Sequence, residues 1–229
     1  MPGTHTTLTE MADRAQVALN DTAAGTWPQA TVEEWCLDAL REYNQHFFKS
    51  AQDFIDCVAD QHNYDLNADF RGVIYVSYPW DITDPVYLKR MSRQHPSFWL
   101  SDDYCDIHES YNPNTAAQIW ISASPAAGEQ IYVHYAATYD TDLTGIDNFE
   151  IPPEHDPIIL AFVIWRAHQE RLATEAQNPD TTIRMLQQMK LAVQSTEFTY
   201  RQLLRRAKAA RADGGPTGPW EVDGYDRIY

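Results

Sequence analysis

The chain is predicted to fold as an α+β protein: a helical bundle with an inserted antiparallel β domain and an extended C-terminal tail. Three observations predict it. Apolar residues recur at three- and four-residue spacing toward both ends, the signature of helices with one packed face. β-branched and aromatic residues separated by short turns dominate the middle. The end of the chain holds Gly214, Gly215, Pro216, Gly218 and Pro219, which cannot continue a helix. The parts are expected at residues 1–50 (helical), 51–150 (β-rich insertion), 151–212 (helical, in the same bundle) and 213–229 (tail).

Thr7 with Glu10, and Thr31 with Glu34, fit the capping-box pattern, in which threonine oxygen takes a free amide and glutamate returns to the cap residue's own amide. The first box opens a helix to about Leu19 with Leu8, Met11, Ala15 and Ala18 on one stripe. The second opens a helix to about Phe48, with Trp35, Ala39 and Tyr43 at helical spacing. Between them Gly25 and Trp27-Pro28 mark a loop. Residues 73–78, 119–121 and 131–135 read as strands, and residues 54–58, 64–66, 87–89 and 104–108 as weaker ones. Residues 92–99 read as a short helix or irregular loop.

Helices return after Pro157. Residues 158–165 are apolar on every face, so the helix they form, to about Gln177, needs protein on all sides, from this chain or from copies of it. Ile158, Ile159, Phe162, Val163 and Trp165 are therefore the candidate core and subunit-packing residues. Asp180 or Thr181 can cap a last helix, in which Leu186, Met189, Val193, Thr196, Tyr200, Leu203 and Ala207 form a narrow stripe that fits one packed seam.

Composition bounds the function. At 229 residues, 44% apolar and 22% charged, the chain can bury a substantial core. No signal-peptide pattern opens it, and its longest apolar run is too short to span a bilayer, so synthesis in a cytoplasm and no membrane partner are expected. Cys36, Cys57 and Cys105 suit neither a disulfide framework nor a zinc site. The net charge of −16 is unevenly spread: residues 1–180 hold 9 basic and 28 acidic residues, whereas residues 181–212 hold 7 basic and 1 acidic. Between Arg93 and Arg166 there is no Lys or Arg, while eleven acids occur. Such a surface repels phosphate, because nucleic-acid affinity rests on Lys and Arg displacing counterions.

Catalytic signals are weak. The sequence has no phosphate-cradling loop, no glycine-flanked serine elbow and no paired histidines at metal-ligand spacing, so no cofactor, metal or catalytic residue is expected. On a strand Asp106 and His108 would share a face with Glu109 turned away, a poor ligand set. His155 with Asp156, and His168 with Glu170, are no better. Asp140, Asp142, Asp147 and Glu150 lack the ligand spacing and central glycine of a calcium loop. Tyr75, Tyr78, Trp120, Tyr132 and Tyr135 are expected mainly to fill a core, although rings exposed on a β face could stack on sugars. Arg201, Arg205, Arg206, Lys208 and Arg211 place five cations in eleven residues, and Trp220, Tyr225 and Tyr229 follow, which suggests a basic helix for steering and an aromatic tail for anchoring.

The helix over residues 8–19 with Asn20-Asp21 and Trp27-Pro28 after it, the helix over 32–48, Tyr64-Asp65-Leu66, the strand ending at Tyr135, and Ile151-Pro152 before the apolar helix together resemble the head-to-tail adaptor, or connector, proteins of tailed bacteriophages. The resemblance covers most of the chain. It implies a structural virion protein at the head–tail interface, assembled in the host cytoplasm into a ring, most often of twelve copies. Its partners would be the portal protein and tail or neck proteins, with the cationic helix and aromatic tail docking on the portal. DNA would pass through without specific binding, past channel-lining acids such as Asp140, Asp142, Asp147 and Glu150. Twelve copies would carry about −190 of formal charge, which discourages phosphate contacts. A neck or tail-completion protein, a carbohydrate- or ligand-binding β module with helical flanks, and a hydrolase using Asp106, His108 or the acids of residues 140–150 are the alternatives.

Overall fold

A computed structural model describes residues 6–108 and 116–212, the side chains of residues 211 and 212 excepted. It is an α+β fold of two compact units, one helical (residues 6–47 and 139–212) and one built of strands (residues 48–138).

The helical unit starts with α1, Leu8–Ala18, and the capping box is present in full: Thr7 Oγ1 accepts from Glu10 N at 3.2 Å, and Thr7 N donates to Glu10 Oε2 at 2.9 Å. Two further first-turn amides find partners in the loop over residues 140–150, Leu8 N on Asp147 O and Thr9 N on Gly145 O, both at 3.0 Å. Gly145 is needed for that approach, since a Cβ there would meet Thr9 Oγ1 at 2.6 Å. Thus the acidic loop packs with the helices.

Helix α2 spans Gln29–Tyr43. The capping box expected at Thr31 and Glu34 does not form, because Pro28 is the cap residue and its fixed φ starts the helix three residues earlier, with no side-chain cap. The helix also ends short of Phe48. Asn44 leaves it to pair reciprocally with Tyr139, Nδ2 donating to the carbonyl and Oδ1 accepting from the amide, each at 2.9 Å.

Helix α3, Asp156–Ala176, packs on α1, α2 and α4, where α4 is Ile183–Ala212. α4 buries the seam read from its sequence: Tyr200 and Leu204 are buried, while Leu186, Met189, Val193, Thr196, Leu203 and Ala207 are half-buried. Met11, Val32, Leu40, Tyr43, Phe47, Phe149, Ile159 and Val163 are the heart of the core.

The strands are β1 Lys49–Asp56, β2 Asn63–Asp65, β3 Phe70–Ser77, β4 Lys89–Arg90, β5 Tyr104–His108, β6 Gln118–Ile121 and β7 Gln130–Ala137. They make two sheets, ordered β1-β7-β3 and β2-β6-β5-β4. Pairing is antiparallel except for β4 with β5, which is parallel. β1 begins at Lys49, well before the strand expected from residue 54, since its polar alternation becomes a strand only through full register with β7. Alternate β7 residues Ile131, Val133, Tyr135 and Ala137 face a core shared with Val73, Val76, Ile107, Ile119 and Ile121. Residues 92–99 form an irregular loop that turns into a short 3-10 helix over Phe98–Leu100.

Candidate functional site

The candidate subunit-packing residues divide by face. Ile158, Ile159 and Val163 lie inside the helical core, whereas Phe162 and Trp165 are half-buried and meet α4. Phe162 meets the Tyr200 ring edge-on at 5.4 Å, and Trp165 stacks on it at 5.8 Å and 9°. Cover for the all-apolar segment therefore comes in large part from the chain itself. Burial, with the negative charge of Glu42 nearby, pushes the Tyr200 hydroxyl up to about 12.

These three rings floor an open cleft of about 560 Å³ between α2, α3 and α4, with Asp38, Arg41, Glu42, Arg166 and Arg201 around it. Its cations are engaged within the chain: Arg41 pairs with Asp38, Arg166 with Glu170 and Arg201 with Glu197. Trp165 Nε1 and Arg166 Nε are buried without hydrogen-bond partners. The described residues lining the cleft offer carboxylates, guanidinium groups, amides and rings, with no Ser, Cys or His.

Arg201, Arg205, Arg206 and Lys208 are exposed along the last turns of α4, with Arg211 on the same helix. Cations there complement the negative helix end. Trp220, Tyr225 and Tyr229 lie outside the described residues. Of the loop acids, Asp140, Asp142 and Glu150 are exposed. Asp147 is tied into its own turn, accepting from Thr144 Oγ1 at 2.6 Å and Thr144 N at 2.8 Å, and these bonds hold its carboxyl below the usual range.

The weaker candidates have structural partners. Asp106 on β5 accepts from Arg93 N at 3.0 Å, and the Arg93 guanidinium lies over the Trp120 ring at 4.4 Å, so both fix residues 92–99 against the sheet. His108 is exposed and Glu109 lies outside the described residues. His155 Nδ1 bonds the Tyr43 hydroxyl. His168 is half-buried and held below its ordinary value by that burial and by Arg171. Among the described residues no group of three or more His, Cys, Asp or Glu is placed to hold a metal.

Sequence reasoning missed two arrangements. Asp156, the first residue of α3, is buried and paired with Arg14 of α1 at 2.7 Å while accepting from Thr6 Oγ1 at 2.8 Å. Nothing local announces that pair, because its partners are more than 140 positions apart. On the outer face of β1-β7-β3, Phe54, Tyr75, Trp80, Tyr87, Tyr132 and His134 form a connected series of ring contacts, with Trp80 stacked on Tyr132 at 4.3 Å. Of the five rings expected mainly to fill a core, Tyr78 and Tyr135 lie in it, Tyr132 is buried on this outer face, and Tyr75 and Trp120 are half-buried; Phe54 and Tyr87 are exposed. His134 Nε2 there contacts Ser50 Oγ, but its Nδ1 has no partner, so the acid that orients a catalytic histidine is missing from the pair.

Among the described residues, no helix is long and apolar enough to cross a membrane. No curated protein matches this sequence. The family model described as SU10 adaptor protein matches residues 6–221, in agreement with the order of helices and strands, and the chain belongs to that family of structural phage adaptors.

Proposed function

We propose that this chain is the head-to-tail adaptor of a tailed phage virion, assembled in the host cytoplasm. Its copies form a ring, of twelve subunits, under the portal, where the ring extends the DNA channel and carries the tail or neck proteins. The observation that supports this most is the segregation of charge. Within an otherwise acidic chain, Arg205, Arg206 and Lys208 stand exposed at one end of α4, with Arg211 just beyond, ready to steer docking on the portal. Trp220, Tyr225 and Tyr229 then supply anchors. Exposed Asp140, Asp142 and Glu150 suit a lumen that phosphate must traverse without sticking, and half-buried Phe162 and Trp165 are better placed for subunit packing than Ile158, Ile159 and Val163.

Docking is tested by mixing the protein with portal-bearing heads that lack it. Deleting residues 214–229 or reversing Arg205 and Arg206 is expected to abolish attachment with the circular dichroism unchanged. Full attachment of both variants would overturn the docking role. The exposed rings of Phe54, beside Trp80, and Tyr87, beside Tyr75, favour one second reading, a sugar-binding β face. A stable monomer that retains glycans and ignores such heads would establish it.

A further inference from the structure

We infer that the outward face of α4 packs against the α1 face of a second copy of this chain, head to tail; the inference rests on the ring reading and names its contact. Leu191 and Phe198 are each 65% exposed although apolar, lie two turns apart, and point directly away from the seam through Val193 and Tyr200. Around them stand Gln187, Gln194, Ser195 and Gln202, and Arg184 and Arg205 close the stripe at its two ends, so its middle can be dehydrated without burying a charge. On α1 the residues opposite the buried Leu8, Met11 and Ala15 are Glu10, Asp13 and Val17, and Val17 is 62% exposed. Glu10 and Val17 share the two-turn spacing of Leu191 and Phe198.

The occupant follows from charge and position. α1 and α4 each pack on α3, so the two strips stand on different helices of the helical unit. Residues 6–47 hold seven acids and two cations, whereas residues 181–212 hold seven cations and one acid. Packing α4 on α4 would oppose like charges, whereas on the outward face of α1 Glu10 and Asp13 meet the cations of α4. A contact between two different faces of the same molecule repeats from copy to copy, and it closes into a ring when the rotation allows.

The test is disulfide trapping in the full chain, whose native cysteines are all buried. With Val17→Cys and Phe198→Cys together, mild oxidation is expected to yield a ladder of dimer, trimer and larger species, and either substitution alone to yield none. A second variant, Leu191→Glu with Phe198→Glu, is expected to weaken association by more than about tenfold in sedimentation, because two charges would enter the dehydrated strip. Dimers from Phe198→Cys alone would overturn the inference in favour of α4 against α4. Oligomers that form but show no ladder would overturn the contact and leave the ring reading standing. A chain that stays monomeric both alone and with portal-bearing heads would overturn both.

Discussion

The buried pair of Asp156 and Arg14 allows a quantitative test of what joins α1 to α3. The Asp156 side chain is 7% exposed and that of Arg14 48%, so the two partners are not equivalent. Removing the guanidinium with Arg14→Ala leaves a buried carboxylate held only by the Thr6 hydroxyl and the amide end of α3. An uncompensated buried charge costs about 3–5 kcal/mol, and the helix dipole together with the hydroxyl returns part of that, so about 2–3 kcal/mol is expected. Removing the carboxylate with Asp156→Ala leaves a half-exposed guanidinium that water can serve, and costs about 1–2 kcal/mol. The double variant should then match Asp156→Ala alone, a coupling of about 2 kcal/mol. Urea unfolding followed by far-ultraviolet circular dichroism, which weights the helices, measures all three. If Arg14→Ala cost less than about 0.5 kcal/mol, or less than Asp156→Ala, the argument from unequal burial would be wrong.

Three other perturbations follow from the geometry. Tyr200→Ala removes a ring stacked on Trp165 and buried at the α3–α4 seam, and should cost about 3 kcal/mol, with faster amide exchange in α4 than in α1. The buried thiols of Cys36 and Cys105 are pushed up to about 12, so a thiol reagent at neutral pH should leave both untouched in the folded protein and label them at once in urea. Burial holds His134 and His168 below their ordinary value, so between about 6.5 and that lower value the unfolded chain takes protons that the folded chain refuses. Stability should therefore be full above about pH 6.5 and fall as the pH drops through it, and replacing both histidines with glutamine should flatten that slope in a thermal melt.

What could be read from the sequence was what is decided locally. The Thr7 box formed because both of its hydrogen bonds lie within four residues, and the α4 seam formed because one face repeats over about six turns. Thr31 has the same residues at the same spacing, yet Pro28 stands just upstream and has already set the helix going. The polar strand β1 and the early end of α2 were hidden for another reason: each depends on a partner far along the chain, β7 in one case and Tyr139 in the other. No window of sequence short enough to show periodicity contains both sides of such a contact.

The candidate site was legible to the same degree and failed at the same boundary. Its cations were visible as a run because a helix end exposes whatever the sequence places there, and Arg205, Arg206 and Lys208 are indeed at the surface. The apolar run before Arg166 was equally visible, but hydrophobicity reports that a segment must be covered without saying by what. Here α4 covers much of it through Tyr200, which moves the unsatisfied apolar surface one helix outward, to Leu191 and Phe198. Phe198 stands alone among polar residues and Leu191 beside Ala192 and Val193 of the seam, so neither is marked as exposed until the seam on the other side of α4 is fixed. Apolar positions left at the surface are thus recognised only after the seams that the chain buries within itself are known.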